Sequence, residues 1–200
     1  MLIGIIGKDE EGRALVTKIF NEYGKYEIIN VDELYLELIK KEEVKETIEK
    51  FVNYQNYDTV DFYVVLYTHI EKRKLYNELI WDYIEKDIYR RIEISKKPVI
   101  IEWDKLQLTD FYDMCDIKIL VELNRGIKQS FKNVIPIQYQ KGKPSFKRDK
   151  IDNMTRLFYD ALTDIHVDYK YDDMDYIIDD SFINGNIIDK EKVKSINKKM

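Results

Sequence analysis

The sequence predicts an α/β protein of three layers, in which helices cover both faces of a mainly parallel sheet of about five strands. Short apolar runs, which are typical of strands buried on both faces, alternate along the chain with longer helical patterns. This alternation favours a parallel sheet, because neighbouring parallel strands need a crossover connection that is commonly a helix. The predicted strands are residues 2–6, 27–31, 98–103, 117–123 and 176–178.

The predicted helices repeat apolar residues with the spacing of one helical face. Apolar side chains at positions 15, 16, 19 and 20 predict a helix that begins near Arg13 and ends at Gly24. Residues 60–66 fit either a strand or the start of a helix, and both alternatives stay open. Further helices are predicted around residues 34–39, from 44 to about 53, from 71 to 95 as one long helix or a broken pair, and at 151–165.

Length and composition predict a single domain over residues 1–200. Charged residues make up 36% of the chain, with no stretch of about 18 apolar residues and no basic leader, which predicts a cytoplasmic protein that does not span a membrane. The net charge of −5 argues against nucleic acid as the main partner. The single cysteine, Cys115, excludes an internal disulfide and is expected to be an ordinary buried thiol.

The segment after the first strand keeps the two-glycine spacing of a phosphate-binding loop, with Gly7 and Gly12 at the bends. Such a loop holds phosphates with backbone N–H groups, reaches the terminal phosphates with a lysine, and binds magnesium through a Ser or Thr hydroxyl. Here Arg13 takes the place of the lysine and Ala14 that of the hydroxyl. Arginine keeps the charge but is a planar fork on a longer stem, whereas alanine offers a metal no ligand.

Three carboxylates follow Lys8 in this segment, at Asp9, Glu10 and Glu11. They would oppose a polyphosphate by about 1 kcal/mol per close charge pair, even in water. Lys8 offsets only part of this repulsion. The alternative for the two glycines is a plain strand-to-helix turn, which any α/β domain can have.

Asp32 directly follows the second predicted strand. The carboxyl edge of a parallel sheet is where such folds bind their ligands, and an aspartate there could accept a proton from a substrate hydroxyl. The alternative is an N-cap for a helix that starts at Glu33, since aspartate is a preferred capping residue. The sequence leaves both alternatives open.

Residues 124–150 form a basic stretch that includes Arg125 and Arg148. The stretch could be a lid that closes over an anionic ligand, an inserted hairpin, a partner-binding surface or a soluble loop. After the last predicted strand, the charged tail at about 190–200 is expected to fray.

Taken together, these segments resemble the dephospho-coenzyme A kinase family and the related nucleoside monophosphate kinases, which share a P-loop kinase fold. The resemblance covers almost the whole chain as weak motifs in the right order. The matching segments are residues 2–20 for the first strand, P-loop and helix, 28–34 for the Asp-Ala-Asp segment, 98–102 and 115–121 for the next two strands, and 176–185 for the late strand and adenine loop.

The resemblance implies ATP and Mg²⁺ as cofactors and a nucleotide or another phosphate-bearing small molecule as ligand. It places Asp32 at the acceptor hydroxyl as general base, makes Arg125 the nearest match to a lid arginine, and assigns the helices of residues 50–95 to the acceptor side. Phosphate and nucleotide contacts fall on Gly7, Lys8, Gly12, Arg13, Ala14, Asn184 and Gly185.

Departures from the family pattern fall on catalytic positions, at Arg13, at Ala14 and at Asn30, where relatives have the first aspartate. Two hypotheses follow. The chain is a divergent ATP-dependent nucleotide or dephospho-coenzyme A kinase, or it is a catalytically inactive kinase-like protein that acts as a binding or regulatory module. The second hypothesis implies a protein partner or a homo-oligomer.

Overall fold

A computed structural model describes residues 1–22, 25–53, 60–123, 167, 169–184 and 187–199, and its centre is a parallel sheet. The sheet has five strands in the order β2-β3-β1-β4-β5, and all neighbouring pairs are parallel. This confirms the predicted fold class. The strands are β1 (Leu2–Ile6), β2 (Glu27–Asn30), β3 (Val99–Glu102), β4 (Ile117–Glu122) and β5 (Tyr176–Asp179).

Helices make up most of the remaining described structure. The segment that the sequence left open at 60–66 is helical, and residues 71–94 belong to one helix rather than to a broken pair. Among the described helices, none is both long and apolar enough to cross a bilayer. The helices are α1 (Glu10–Asn21), α2 (Val31–Leu38), α3 (Glu42–Val52), α4 (Val60–Thr68), α5 (Ile70–Ile94), α6 (Asp110–Met114) and α7 (Lys190–Lys199).

Shorter elements complete the description. Single turns of 3₁₀-helix lie at Leu106–Leu108, Tyr171–Asp173 and Asp180–Phe182. A small antiparallel pair, β6 (Ile183–Asn184) and β7 (Ile187–Ile188), precedes α7.

The chain forms two compact units. The first unit holds the sheet with α1, α6 and α7, and it comprises Met1–Asp32, Arg91–Ile137 and Val167–Met200. The second unit comprises Glu33–Arg90 and Gln138–His166, and its described part holds α3, α4 and most of α2 and α5. A single domain over residues 1–200 therefore stays a prediction.

In the first unit, α1 and α7 pack on one face of the sheet. Val16 and Phe20 of α1 share a buried core with Ile5 of β1, and α7 adds Val193 and Ile196 to the same core. The expectation that the tail frays is therefore wrong, because residues 190–199 form a helix that packs on the sheet. The reason is the spacing of Val193 and Ile196, which places both on one helical face where they can be buried.

On the other face of the sheet, the 3₁₀ turn at Leu106–Leu108 and Cys115, which follows α6, contact β1. A Cβ built on Gly4 of β1 would lie 2.8 Å from Leu106 Cδ2 and 3.0 Å from Cys115 Sγ, so these side chains pack directly on the strand. The Cys115 thiol donates to the Phe111 carbonyl oxygen at 3.2 Å, and burial raises its pKa to about 12. Cys115 therefore stays a protonated thiol at neutral pH. Because other elements pack on both faces of the sheet, the first unit has three layers.

The second unit has its own buried core. Tyr35 of α2 and Tyr76 of α5 are buried, and their hydroxyls are 2.8 Å apart. The ring of Tyr76 meets that of Phe62 edge-on, with the ring centroids 5.8 Å apart. Phe51 of α3 is 52% exposed.

The turn after β1 depends on a glycine. Gly7 has a φ of +142°, and a Cβ added there would lie 2.1 Å from the Val121 carbonyl oxygen. Because the neighbouring atom belongs to the backbone of β4, no side-chain movement can relieve this contact. Only glycine fits this position, so the sequence prediction of a bend at Gly7 is confirmed.

We expect Gly7→Ala to lower the free energy of unfolding by about 3 kcal/mol or more, because both the positive φ and the contact with Val121 penalise a side chain. Urea unfolding measures the change. Gly12→Ala is the matched control, since its nearest neighbours are side-chain atoms at 3.2 Å and helix propensity favours alanine by about 1 kcal/mol. A Gly7→Ala protein as stable as the Gly12→Ala protein would contradict this account of the turn.

Candidate functional site

The connection from β1 to α1 is shorter than the sequence suggested. Helix α1 begins at Glu10, and the Arg13 N–H donates to the Asp9 carbonyl oxygen at 3.0 Å within the helical pattern. The predicted start near Arg13 is wrong, because Glu10 and Glu11 in the first turn are favourable at the positive end of the helix dipole. Glu10 and Glu11, whose carboxylates would oppose a phosphate, therefore lie in the first turn of α1. Gly12, Arg13 and Ala14 also lie inside this helix.

Arg13 is the central residue of the site. Its side chain is only 2% exposed. Nη1 donates a hydrogen bond to the Gly7 carbonyl oxygen, and Nη2 donates to Asp32 Oδ2 at 3.1 Å. Nε lies 4.0 Å from Glu102 Oε1, and Glu102 is also 2% exposed. The guanidinium is thus surrounded by a carbonyl and two carboxylates of its own chain.

The sheet topology brings these groups together. Gly7 follows β1, and Glu102 is the last residue of β3, in register with Ile5 of β1 and Asn30 of β2. Asp32 lies in the first turn of α2, directly after β2. The carboxyl ends of three neighbouring strands therefore converge on Arg13, at the edge where α/β sheets bind their ligands.

The alternative that Asp32 caps a helix starting at Glu33 is wrong. Helix α2 already begins at Val31, so Asp32 is inside its first turn. Its carboxylate accepts the hydrogen bond from Arg13 while remaining 23% exposed. Asp32 is therefore at the predicted edge of the sheet, but its side chain is engaged with a cation.

Two charged neighbours extend this edge beyond β3. Lys105 is 4% exposed, and its Nζ lies 3.0 Å from Asp104 Oδ2. The Tyr169 hydroxyl donates to the Asp104 carbonyl oxygen at 3.2 Å. Burial raises the pKa of Tyr169 to about 12, with a further increase from the charge of Asp104, while Arg13 and a backbone hydrogen bond from Gly7 act in the opposite direction. The phenol is therefore neutral at physiological pH and lies beside the turn.

The structure describes only some of the remaining predicted site residues. Lys8 is exposed in the turn. Asn184 lies in β6, and only its backbone is described. Arg125, Gly185 and the basic stretch of residues 124–150 lie outside the described residues.

Sequence reasoning gave no individual role to Glu102, Asp104, Lys105 or Tyr169. The first three had a usable signal, because charged residues that directly follow a buried parallel strand lie at the carboxyl edge of the sheet. Tyr169 carries no such signal, since it follows no predicted strand and its position beside Gly7 arises only in three dimensions.

The described residues do not fit a magnesium ion of the P-loop type. Ala14, which the resemblance places at the metal-binding hydroxyl, has no oxygen on its side chain. Among the described parts of the chain, no group of three or more His, Cys, Asp or Glu side chains is arranged to hold a metal ion. The carboxylates of Asp32 and Glu102 face a guanidinium instead.

A cleft of about 270 Å³ lies at the opposite edge of the sheet. It is formed where β2 begins and where the chain approaches β3, so it is remote from the Arg13 cluster. Its lining residues are Glu27, Arg91, Ile94, Ser95, Lys96 and Lys97.

Comparisons with known proteins support the fold assignment. No protein-family model and no curated protein matches the chain. Among solved structures, TT1252 from Thermus thermophilus is similar with a TM-score of 0.59 and 14% identity, over 100% of this chain and 97% of that one. Dephospho-CoA kinase from Campylobacter jejuni has a TM-score of 0.59 and 12% identity, over 99% and 96%. The chain therefore has a P-loop kinase-like three-layer α/β/α fold.

Proposed function

We propose that this chain is a kinase-like protein that acts by binding and does not transfer phosphoryl groups from ATP. The observation that carries the proposal is the burial of Arg13 between the Gly7 carbonyl, Asp32 and Glu102. This arginine stands where a P-loop kinase has the lysine for the terminal phosphates. Because its charge is balanced inside the chain, it is not available to a nucleotide.

The turn itself offers little to an anion. Asp9, Glu10 and Glu11 surround the start of α1, which is the position where a P-loop binds phosphate. The Arg13 N–H is already used within the helix, and the Tyr169 hydroxyl lies beside Gly7. A polyphosphate would therefore meet carboxylates and, at Arg13, a backbone N–H that already has a partner.

The competing proposal is an active ATP-dependent nucleotide or dephospho-coenzyme A kinase with Mg²⁺ as cofactor. The likeness in fold to the Campylobacter jejuni enzyme and the position of Asp32 at the carboxyl edge favour it. It requires Asp32 to accept a hydroxyl proton, whereas Asp32 now accepts a hydrogen bond from Arg13. It also requires a metal ligand that Ala14 cannot supply. The binding role is therefore the better supported of the two.

The ligand in our proposal is a protein partner or a second copy of the chain, in the cytoplasm. Phosphoryl transfer depends almost wholly on positioning and on charge stabilisation. A kinase fold without a free cation and without a metal ligand therefore cannot catalyse the transfer, although its surface is unchanged. The surfaces of a kinase-like fold then remain available for association.

We expect isothermal titration with Mg·ATP, and with ADP alone, to give no binding tighter than a Kd of about 1 mM, or about 4 kcal/mol. The reason is the internal neutralisation of Arg13 together with the acidic first turn of α1. An affinity in the micromolar range that depends on magnesium would overturn the proposal and favour the kinase.

Introducing the lysine and the hydroxyl residue of a P-loop at positions 13 and 14 should not create nucleotide binding. We expect Arg13→Lys with Ala14→Thr to leave the affinity for Mg·ATP unchanged, since both positions lie inside α1. The same variant should lose about 2 kcal/mol of unfolding free energy, because a lysine cannot make the forked contacts of the guanidinium.

Lys18→Arg, at an exposed position of the same helix, is the control for the stability measurement and should be neutral within about 0.5 kcal/mol. Urea unfolding and calorimetry give the two readouts. A tenfold or larger gain in affinity for Mg·ATP in the double variant would contradict the helical placement of residues 13 and 14.

A further inference from the structure

The cleft at the edge of the sheet where β2 begins is positively charged, although the chain as a whole is negative. Arg91, Lys96 and Lys97 line it together with one carboxylate, that of Glu27. The net charge of the chain is −5. All of these residues belong to the first unit. We call this surface the basic cleft, and the excess of positive charge there attracts anions.

The two lysines of the basic cleft present their charges to solvent. Lys96 and Lys97 are exposed, and within the described parts of the chain neither forms an ion pair. Lys86 in the middle of α5, in contrast, pairs with Asp82 at 2.6 Å. The negative end of the helix dipole accounts for Arg91, which lies in the last turn of α5, but both lysines follow the end of that helix. Their charges are therefore available to a ligand.

The backbone that carries these cations is held in place by hydrogen bonds. The Ser95 N–H donates to the Arg91 carbonyl oxygen at 3.1 Å. Ser95 Oγ accepts from the Lys97 N–H at 3.2 Å and donates to the Lys97 carbonyl oxygen at 3.0 Å. The Glu27 N–H donates to the Pro98 carbonyl oxygen at 2.9 Å. A ligand that arrives at the cleft does not have to order this backbone, which lowers the cost of binding.

We propose that the basic cleft binds an acidic segment of a protein partner through the carboxylates of its Asp or Glu side chains. The proposal rests on the binding role proposed above, and it names the surface and the kind of partner. An ammonium is a compact point charge that pairs with a carboxylate without a fixed geometry. Ile94, which is 64% exposed and also lines the cleft, offers an apolar contact to the partner.

The size and charge of the surface favour a short peptide segment over other anions. A volume of about 270 Å³ is below the range of about 300–1,000 Å³ that is usual for small-molecule pockets. It suits single side chains better than a whole nucleotide or coenzyme. A membrane or a nucleic acid is an extended polyanion that would also meet the negative remainder of the chain, whereas a short segment can reach the cleft alone.

The probe is hexaglutamate labelled with fluorescein, and the readout is fluorescence anisotropy at about 50 mM sodium chloride, where screening is weak. We expect saturable binding to the natural protein with a Kd below about 1 mM. Lys96→Gln with Lys97→Gln should weaken binding at least about fivefold, because each lysine contributes an exposed ion pair. Labelled hexaserine should not bind.

Lys198→Gln with Lys199→Gln is the matched control, since these adjacent lysines of α7 are also exposed and the net charge changes equally. We expect this control to change the Kd for hexaglutamate by less than about twofold. Urea unfolding of both double variants checks that each is as stable as the natural protein.

Glu27 provides a test of opposite sign. Glu27→Gln removes the only carboxylate that lines the basic cleft, so hexaglutamate should bind about threefold more tightly. Glu46→Gln, at an exposed position of α3, removes the same charge elsewhere and should change the Kd by less than about 1.5-fold. Equal effects of the two variants would contradict the cleft as the binding site.

The proposal is overturned if hexaglutamate at about 1 mM does not bind, or if both double lysine variants weaken binding equally. Binding to vesicles of phosphatidylserine and phosphatidylcholine that is equally dependent on Lys96 and Lys97 would also overturn it, because the surface would then recognise a membrane. These measurements involve no nucleotide. A failure here leaves the proposed function standing with a different surface, whereas micromolar binding of Mg·ATP would overturn that function and not the basic cleft.

Discussion

The burial of one guanidinium among oxygens of its own chain is the constraint on which the rest of this site depends. Arg13 reaches the Gly7 carbonyl, Asp32 and Glu102, and so connects α1 to the ends of β1, β2 and β3. A buried charge is tolerated only when it is paired and hydrogen-bonded. The arginine and the carboxylates therefore stabilise one another.

The proposed binding role requires a kinase-like fold that is kept without phosphoryl transfer, and this arrangement is compatible with it. The sheet order, the glycine after β1 and the acid after β2 are the framework of the fold. In the proposed binding role, the acidic first turn and the enclosed arginine lie at the position where a P-loop kinase binds phosphate. The fold and the reaction thus depend on different residues, so one can persist when the other is lost.

The strands were predictable because apolar runs such as residues 2–6 and 117–123 are buried on both faces of a parallel sheet. The start of α1 was not, because the two-glycine spacing suggested a longer loop than the acidic residues at 10 and 11 allow. The contact between Arg13 and Glu102 joins residues that are distant in sequence, and only the register of β3 beside β1 reveals it. Asp32 was placed at the correct edge, but no pattern in the sequence indicates its partner.

A double-mutant cycle with Arg13→Met and Glu102→Gln tests the central claim most directly, because each replacement removes the charge of one partner and nearly conserves its volume. We expect Arg13→Met alone to cost about 3 kcal/mol of unfolding free energy, since it removes the guanidinium 4.0 Å from the buried Glu102 carboxylate and the hydrogen bonds to Gly7 and Asp32. The double variant should recover at least about 1 kcal/mol of the summed cost. Additive losses, within about 0.5 kcal/mol, would contradict a coupled pair at the centre of the site.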